Sequence, residues 1–136
     1  MKTLIFPGSY SSLSKISEFV AQAAKSLGFD GFDLYKIETA VDEACSNIIE
    51  HAYGKEGIGE IEISITTDPE KITITLADSG KPFNPDKIKN PNLTSDLKER
   101  PDHGLGIYMM RQWMDVVKYE TRNKKNILTL EKIKKD

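Results

Sequence analysis

Apolar residues recur at helical spacing along residues 34–53, where Leu34, Ile37, Val41, Ala44, Ile48 and Ala52 form one stripe. That period predicts an amphipathic helix. Beside the stripe runs a polar row of Glu43, Asn47 and His51, each one helical turn from the next. A helix is also predicted over residues 9–27. Leu13, Ile16, Val20, Ala23, Ala24 and Leu27 carry its apolar face, a serine among Ser9, Ser11 and Ser12 caps it, and Gly28 stops it. Asp33 is the predicted N-cap of the 34–53 helix.

After residues 54–59, a glycine-rich turn, the period falls from 3.6 to 2. Ile61, Ile63 and Ile65 alternate with polar residues, and after the turn at residues 67–70 so do Ile72, Ile74 and Leu76. Two alternating runs joined by Asp68-Pro69 predict an antiparallel hairpin with one buried and one wet face. Leu4-Ile5-Phe6, ended by Pro7-Gly8, predicts a short edge strand. Residues 107–115 predict a third helix with Ile107, Met110, Met114 and Trp113 inward, and residues 116–121 and 127–133 two final strands around a turn at 122–126. Residues 84–103 are a long polar stretch of the kind found in lids and binding loops, with room for a short helix around Ile88 and Leu93 to Leu97. The expected fold is α+β: a two-layer sandwich, its mixed, mostly antiparallel sheet covered on one face by three helices.

Composition narrows the function classes. The 136 residues fit one domain, residues 1–136, without repeat or linker. A net charge of −2 gives no electrostatic case for nucleic acid or an anionic membrane, and Lys132, Lys134 and Lys135 read as a solvated tail. No apolar run approaches a membrane span, the N-terminus makes no signal peptide, and one cysteine, Cys45, forms no internal disulfide. A cytoplasmic setting is the expectation.

Three short motifs carry candidate chemistry. On the 34–53 helix, the Glu43 carboxylate has the chemistry to take a proton from an attacking hydroxyl, and the Asn47 amide oxygen is a hard donor suited to Mg²⁺. Polar residues beside an apolar stripe also suit any solvated helix face. Asp78-Ser79-Gly80 ends a strand; the aspartate is an acceptor for an exocyclic amine, and Gly80 lets the backbone approach a flat base. A plain strand-ending turn has the same composition. Gly104-Leu105-Gly106 precedes a helix, where backbone N–H groups and the positive helix terminus suit a phosphate, although a flexible loop end reads alike.

In this order the three motifs resemble the ATP-binding domain shared by gyrase B, histidine kinases and MutL, the Bergerat-type fold. Within that superfamily the chain is most similar to the anti-sigma-factor serine kinases of bacteria. The likeness rests on Asp42-Glu43-Ala44 with Asn47 and His51-Ala52-Tyr53, on Asp78 and Gly80 with Pro82-Phe83, and on Gly104-Leu105-Gly106-Ile107 with Met114-Asp115. It implies a protein serine kinase that uses ATP and Mg²⁺, with Glu43 as base and Asn47 on the metal. It implies nucleotide contacts from Asp78, Gly80, Phe83 and Thr129, with Thr129 supporting the adenine contact. It implies phosphate contacts from Arg100, His103, Gly104, Leu105 and Gly106 in and after the lid. His51 and Tyr53 are given packing or supporting roles. The implied partners are a sigma factor and an anti-sigma-factor antagonist, and a homodimer is compatible. A non-catalytic ATP-dependent switch, a stand-alone ATPase and a plain structural domain are the competing readings.

Overall fold

The computed structural model describes residues 1–82 and 102–134, with the backbone alone for residues 102–107. The order of elements is β1 (Lys2–Pro7), a 3₁₀ turn (Tyr10–Ser12), α1 (Leu13–Leu27), α2 (Gly31–Asn47), a π-helical turn (Ile48–Ala52), β2 (Glu60–Thr67), β3 (Lys71–Asp78), α3 (Asp102–Trp113), β4 (Val116–Arg122) and β5 (Lys125–Ile133). The sheet runs β1-β2-β3-β5-β4. All four ladders among the described strands are antiparallel, where a mixed, mostly antiparallel sheet was expected.

Strand alternation sets which face is covered. Ile61, Ile63 and Ile65 of β2, Ile72, Ile74 and Leu76 of β3, and Leu128 and Leu130 of β5 point to the helix layer and are buried. They meet Ile16, Val20 and Ala24 of α1, Ile37, Val41 and Ala44 of α2, and Met110 of α3. Each large side chain so buried contributes roughly 1.5–3 kcal/mol. The hairpin turn is fixed by Asp68, whose Oδ1 accepts from the N–H groups of Glu70 and Lys71 at 2.7 and 3.0 Å. The chain leaves α1 through Gly28 at φ +104°, a left-handed stop that Gly adopts readily.

Several boundaries differ from expectation. The N-cap of α2 is Asp30, and Asp33 lies in the first turn, where an acidic residue also suits the helix dipole. α3 begins at Asp102 and not at Ile107. The β4–β5 turn is only Asn123-Lys124, both in the left-handed region at φ +54° and +63°, as a tight two-residue hairpin requires. Lys132 is no tail residue. It is buried in β5, and its Nζ donates to the carbonyl of Trp113 at 2.9 Å, capping the end of α3. The expected short helix in residues 84–103 lies outside the described residues. Among the described residues no helix is long and apolar enough to cross a membrane.

Candidate functional site

The polar row of α2 forms one wall of the site. Asn47 is buried despite its polarity, and its amide favours the ionised form of the Glu43 carboxyl one turn before it. Glu43 is pushed up to about 7, first by burial and then by the negative charge of Glu50. The Asn47 amide opposes that rise, and Asp42 adds to it. Glu50 is itself held in place by the Tyr10 hydroxyl, which donates to its Oε1 at 2.7 Å. That bond is the main reason the Tyr10 phenol rises to about 12. A carboxyl that titrates near neutrality is suited to general-base work. His51 is half-buried on the next turn, with its Nε2 4.0 Å from Glu50 Oε2.

The opposite wall is the end of β3. Asp78 follows Ile72, Ile74 and Leu76 in phase, so it faces the helix layer and is buried. Its Oδ1 accepts from the Gly80 N–H at 2.9 Å and from Asn126 Nδ2 at 2.8 Å. Burial raises the Asp78 carboxyl, and these two bonds oppose the rise. Asn47, Asp78 and Asn126 share a pocket with Ala44, Ile48, Ala52, Met110, Tyr119 and Leu128, around about 400 Å³ of empty space that includes open solvent. An apolar lining with a few converging polar groups is the usual make-up of a small-molecule site.

The two walls are joined at the π-helical turn. π-type turns inside helices are frequent at functional sites. Here the Ala52 carbonyl accepts from the Lys81 N–H at 2.7 Å, so the chain after Asp78 is tied to the end of α2. A Cβ on Gly80 would lie 2.5 Å from that carbonyl oxygen. Gly80 therefore permits a close approach to the Ala52 backbone. Tyr53 braces the same corner, with its hydroxyl donating to the Glu60 carbonyl at 2.6 Å and accepting from the Ser79 N–H at 3.1 Å.

Thr129 requires correction. It pairs with Thr75 on the sheet face turned away from the helices, while its neighbours Leu128 and Leu130 point inward. Its side chain therefore cannot reach Asp78, and Asn126 occupies the place expected of it. Gly104, Leu105 and Gly106 lie inside α3 rather than before it. Gly106 is its fifth residue, beyond the four N–H groups a helix leaves free. His103 is the second residue of that helix, and its side chain, like that of Leu105, is outside the described residues; Phe83 and Arg100 are outside them altogether. Asn126, Tyr119 and Glu50 were missed from sequence. Asn126 had a signal: it is in phase with Leu128 and Leu130, so a polar side chain was aimed at the core.

The chain is a two-layer sandwich in which a buried Asp-x-Gly turn faces an acid–amide helix, and comparison with known proteins identifies its family. Residues 6–132 match the family described as the histidine kinase-like ATPase domain, and the chain belongs to that family. Among curated proteins it is 34% identical to a protein named Serine-protein kinase RsbW from Bacillus mycoides, over 71% of this chain and 62% of that one. A Serine-protein kinase RsbW from Bacillus cereus is 33% identical over the same shares. The chain thus spans less than two thirds of these relatives. Among solved structures, the RsbU and RsbW domains of a Mycobacterium tuberculosis protein share the fold at a TM-score of 0.62 and 13% identity, covering 100% of this chain and 34% of that one. The SiaB-SiaC complex of Pseudomonas aeruginosa does so at 0.59 and 12%, covering 98% and 90%.

Proposed function

We propose that this chain is an ATP-dependent protein serine kinase that acts on an anti-sigma-factor antagonist and also binds a sigma factor. The observation that carries the proposal is the Glu43–Asn47 pair. It places a carboxyl held near neutrality one turn from a buried amide at the pocket, across from Asp78. The name Serine-protein kinase borne by the Bacillus relatives supports the same reading.

In the proposed reaction Asp78 accepts a hydrogen bond from the adenine amine and fixes the base against Ala44, Ile48 and Met110. The acceptor serine is delivered to Glu43. Its hydroxyl oxygen bonds to the γ-phosphorus, the bond from that phosphorus to the β–γ bridging oxygen breaks, and the serine proton passes to Glu43. Phosphoserine and ADP are the products. Positioning and charge stabilisation do most of the work in such a transfer.

Asn47 fits a magnesium ion. Its amide oxygen is a hard donor of the kind Mg²⁺ takes alongside phosphate and water, and the side chain lines the pocket. Among the described residues no group of three or more His, Cys, Asp or Glu side chains could hold a metal by itself. When bound, Mg²⁺ would neutralise phosphate charge. A cytoplasmic setting completes the proposal, and a homodimer is compatible with it.

The test is incubation with γ-labelled ATP, Mg²⁺ and a purified antagonist protein. Labelled phosphoserine on the antagonist is the expected result. Tight ATP binding with no transfer would make the protein a non-catalytic switch, and hydrolysis without a protein acceptor would make it an ATPase.

A further inference from the structure

Asn126 is pinned from both ends. Its Nδ2 donates to Asp78 Oδ1 at 2.8 Å and to the Gly80 carbonyl at 2.9 Å, and its Oδ1 accepts from the Tyr119 hydroxyl at 3.1 Å and the Thr121 hydroxyl at 3.4 Å. A flipped amide would set its oxygen against two acceptors. A primary amide has two N–H donors, and both are used. Asn126 therefore has no donor left for a bound molecule. Its effect on the pocket must pass through Asp78.

The Asp78 carboxylate receives both its donors, Gly80 N–H and Asn126 Nδ2, on the same oxygen. Among the described residues Oδ2 accepts no hydrogen bond. Asp78, Asn126 and Tyr119 all line the pocket, and Asp78 and Asn126 are 6% and 3% exposed. The β3–β5 ladder sets Asp78 directly opposite Asn126, so the contact is fixed by strand register rather than by a loop.

We propose that Asn126 and Tyr119 are positioning residues that give the pocket its preference for a 6-aminopurine, by holding the Asp78 carboxylate with one oxygen fixed and the other presented to the amine. This rests on reading the pocket as a nucleotide site. It assigns base selection to a three-residue relay, Tyr119 to Asn126 to Asp78, that spans β4, β5 and β3.

The experiment pairs two nucleotides with three proteins. ATP and purine riboside triphosphate, which lacks the 6-amine, are titrated into wild type, Asn126→Ala and Tyr119→Phe, with thermal melts to confirm folding. Wild type should prefer ATP by roughly tenfold. Asn126→Ala should lose roughly fivefold or more in ATP affinity while its affinity for the amine-free analogue stays within about twofold, so the preference collapses. Tyr119→Phe removes one hydroxyl from a half-buried ring and spares the packing, so it carries the test if Asn126→Ala folds poorly. It should shift the preference the same way by about two- to fivefold. Equal loss of both nucleotides would mean a merely structural role and overturn the proposal. An unchanged preference in folded variants would overturn it too, with ATP binding intact. A wild type that binds neither nucleotide overturns the nucleotide reading itself, and this proposal with it.

Discussion

Glu43→Gln should stabilise the protein, and chiefly above neutral pH. In the folded chain burial, then the charge of Glu50, raise this carboxyl from 4.5 to about 7. In the unfolded chain it ionises at its ordinary value. Well below 4.5 both states hold the proton and the side chain contributes nothing to pH dependence. Between 4.5 and 7 the unfolded chain releases the proton first, so folding loses stability as pH rises, and above 7 the loss is complete. At about 1.4 kcal/mol per pH unit the full loss would be roughly 3 kcal/mol, which solvent screening at a partly exposed group lowers to about 1–2 kcal/mol. Glutamine carries no charge to desolvate. Urea denaturation of both proteins at pH 8 and pH 5 measures the difference. At pH 8 the variant should be more stable by about 1–2 kcal/mol, or roughly 3–10 °C in Tm for a chain of this length. Near pH 5 the gap should shrink to a few tenths, about what remains when the unfolded carboxyl is only partly ionised. A variant less stable at pH 8, or a gap independent of pH, would refute the raised carboxyl.

Gly80→Ala would set a Cβ 2.5 Å from the Ala52 carbonyl oxygen and 2.6 Å from its carbon. Backbone cannot yield cheaply there, so a loss of about 2–4 kcal/mol in urea is expected from strain and the weakened Lys81–Ala52 bond. An unchanged denaturation midpoint would contradict the close approach. Lys124→Gly relieves a left-handed residue and should stabilise by about 1 kcal/mol, read as a higher Tm; a lower Tm would contradict the turn. Asp78→Asn should weaken ATP binding about tenfold or more, on the order of 1.4 kcal/mol by calorimetric titration. Undiminished affinity would remove Asp78 from the base contact.

Periodicity carried most of the fold. The stripes of α1 and α2 and the alternation of β2 and β3 are strong because each buries one apolar face, isoleucine-rich in the two strands. What failed was local chemistry with two good answers. Asp30 and Asp33 both suit a helix start; the helix starts after Asp30, directly behind the buried Phe29. Gly104 and Gly106 read as breakers, yet α3 runs through both. The π-helical turn left no trace, since residues 48–52 keep an ordinary helical pattern.

The site was legible where it sat on a helix and less so where it depended on strand parity. Glu43 and Asn47 follow from one spacing. The residue supporting Asp78 depends on how long the β4–β5 turn is. A five-residue turn keeps Asn126 out of the strand and leaves Thr129 as the polar candidate. The two-residue turn at Asn123-Lys124 brings Asn126 into the ladder opposite Asp78 and sends Thr129 to the other face. Lys132 shows the same limit: it is in phase with Leu128 and Leu130, but reading it as tail hid that parity.

The central proposal is that Glu43, one turn from the pocket-lining Asn47, is the base of a phosphoryl transfer at this site. The most direct measurement compares wild type and Glu43→Gln for ATP affinity and for phosphoserine formation on a purified antagonist, at pH 8. ATP affinity should be kept within about threefold, because Asp78 and the apolar walls are untouched, while transfer falls by about 10²-fold or more. Transfer by Glu43→Gln at the wild-type rate would contradict the claim.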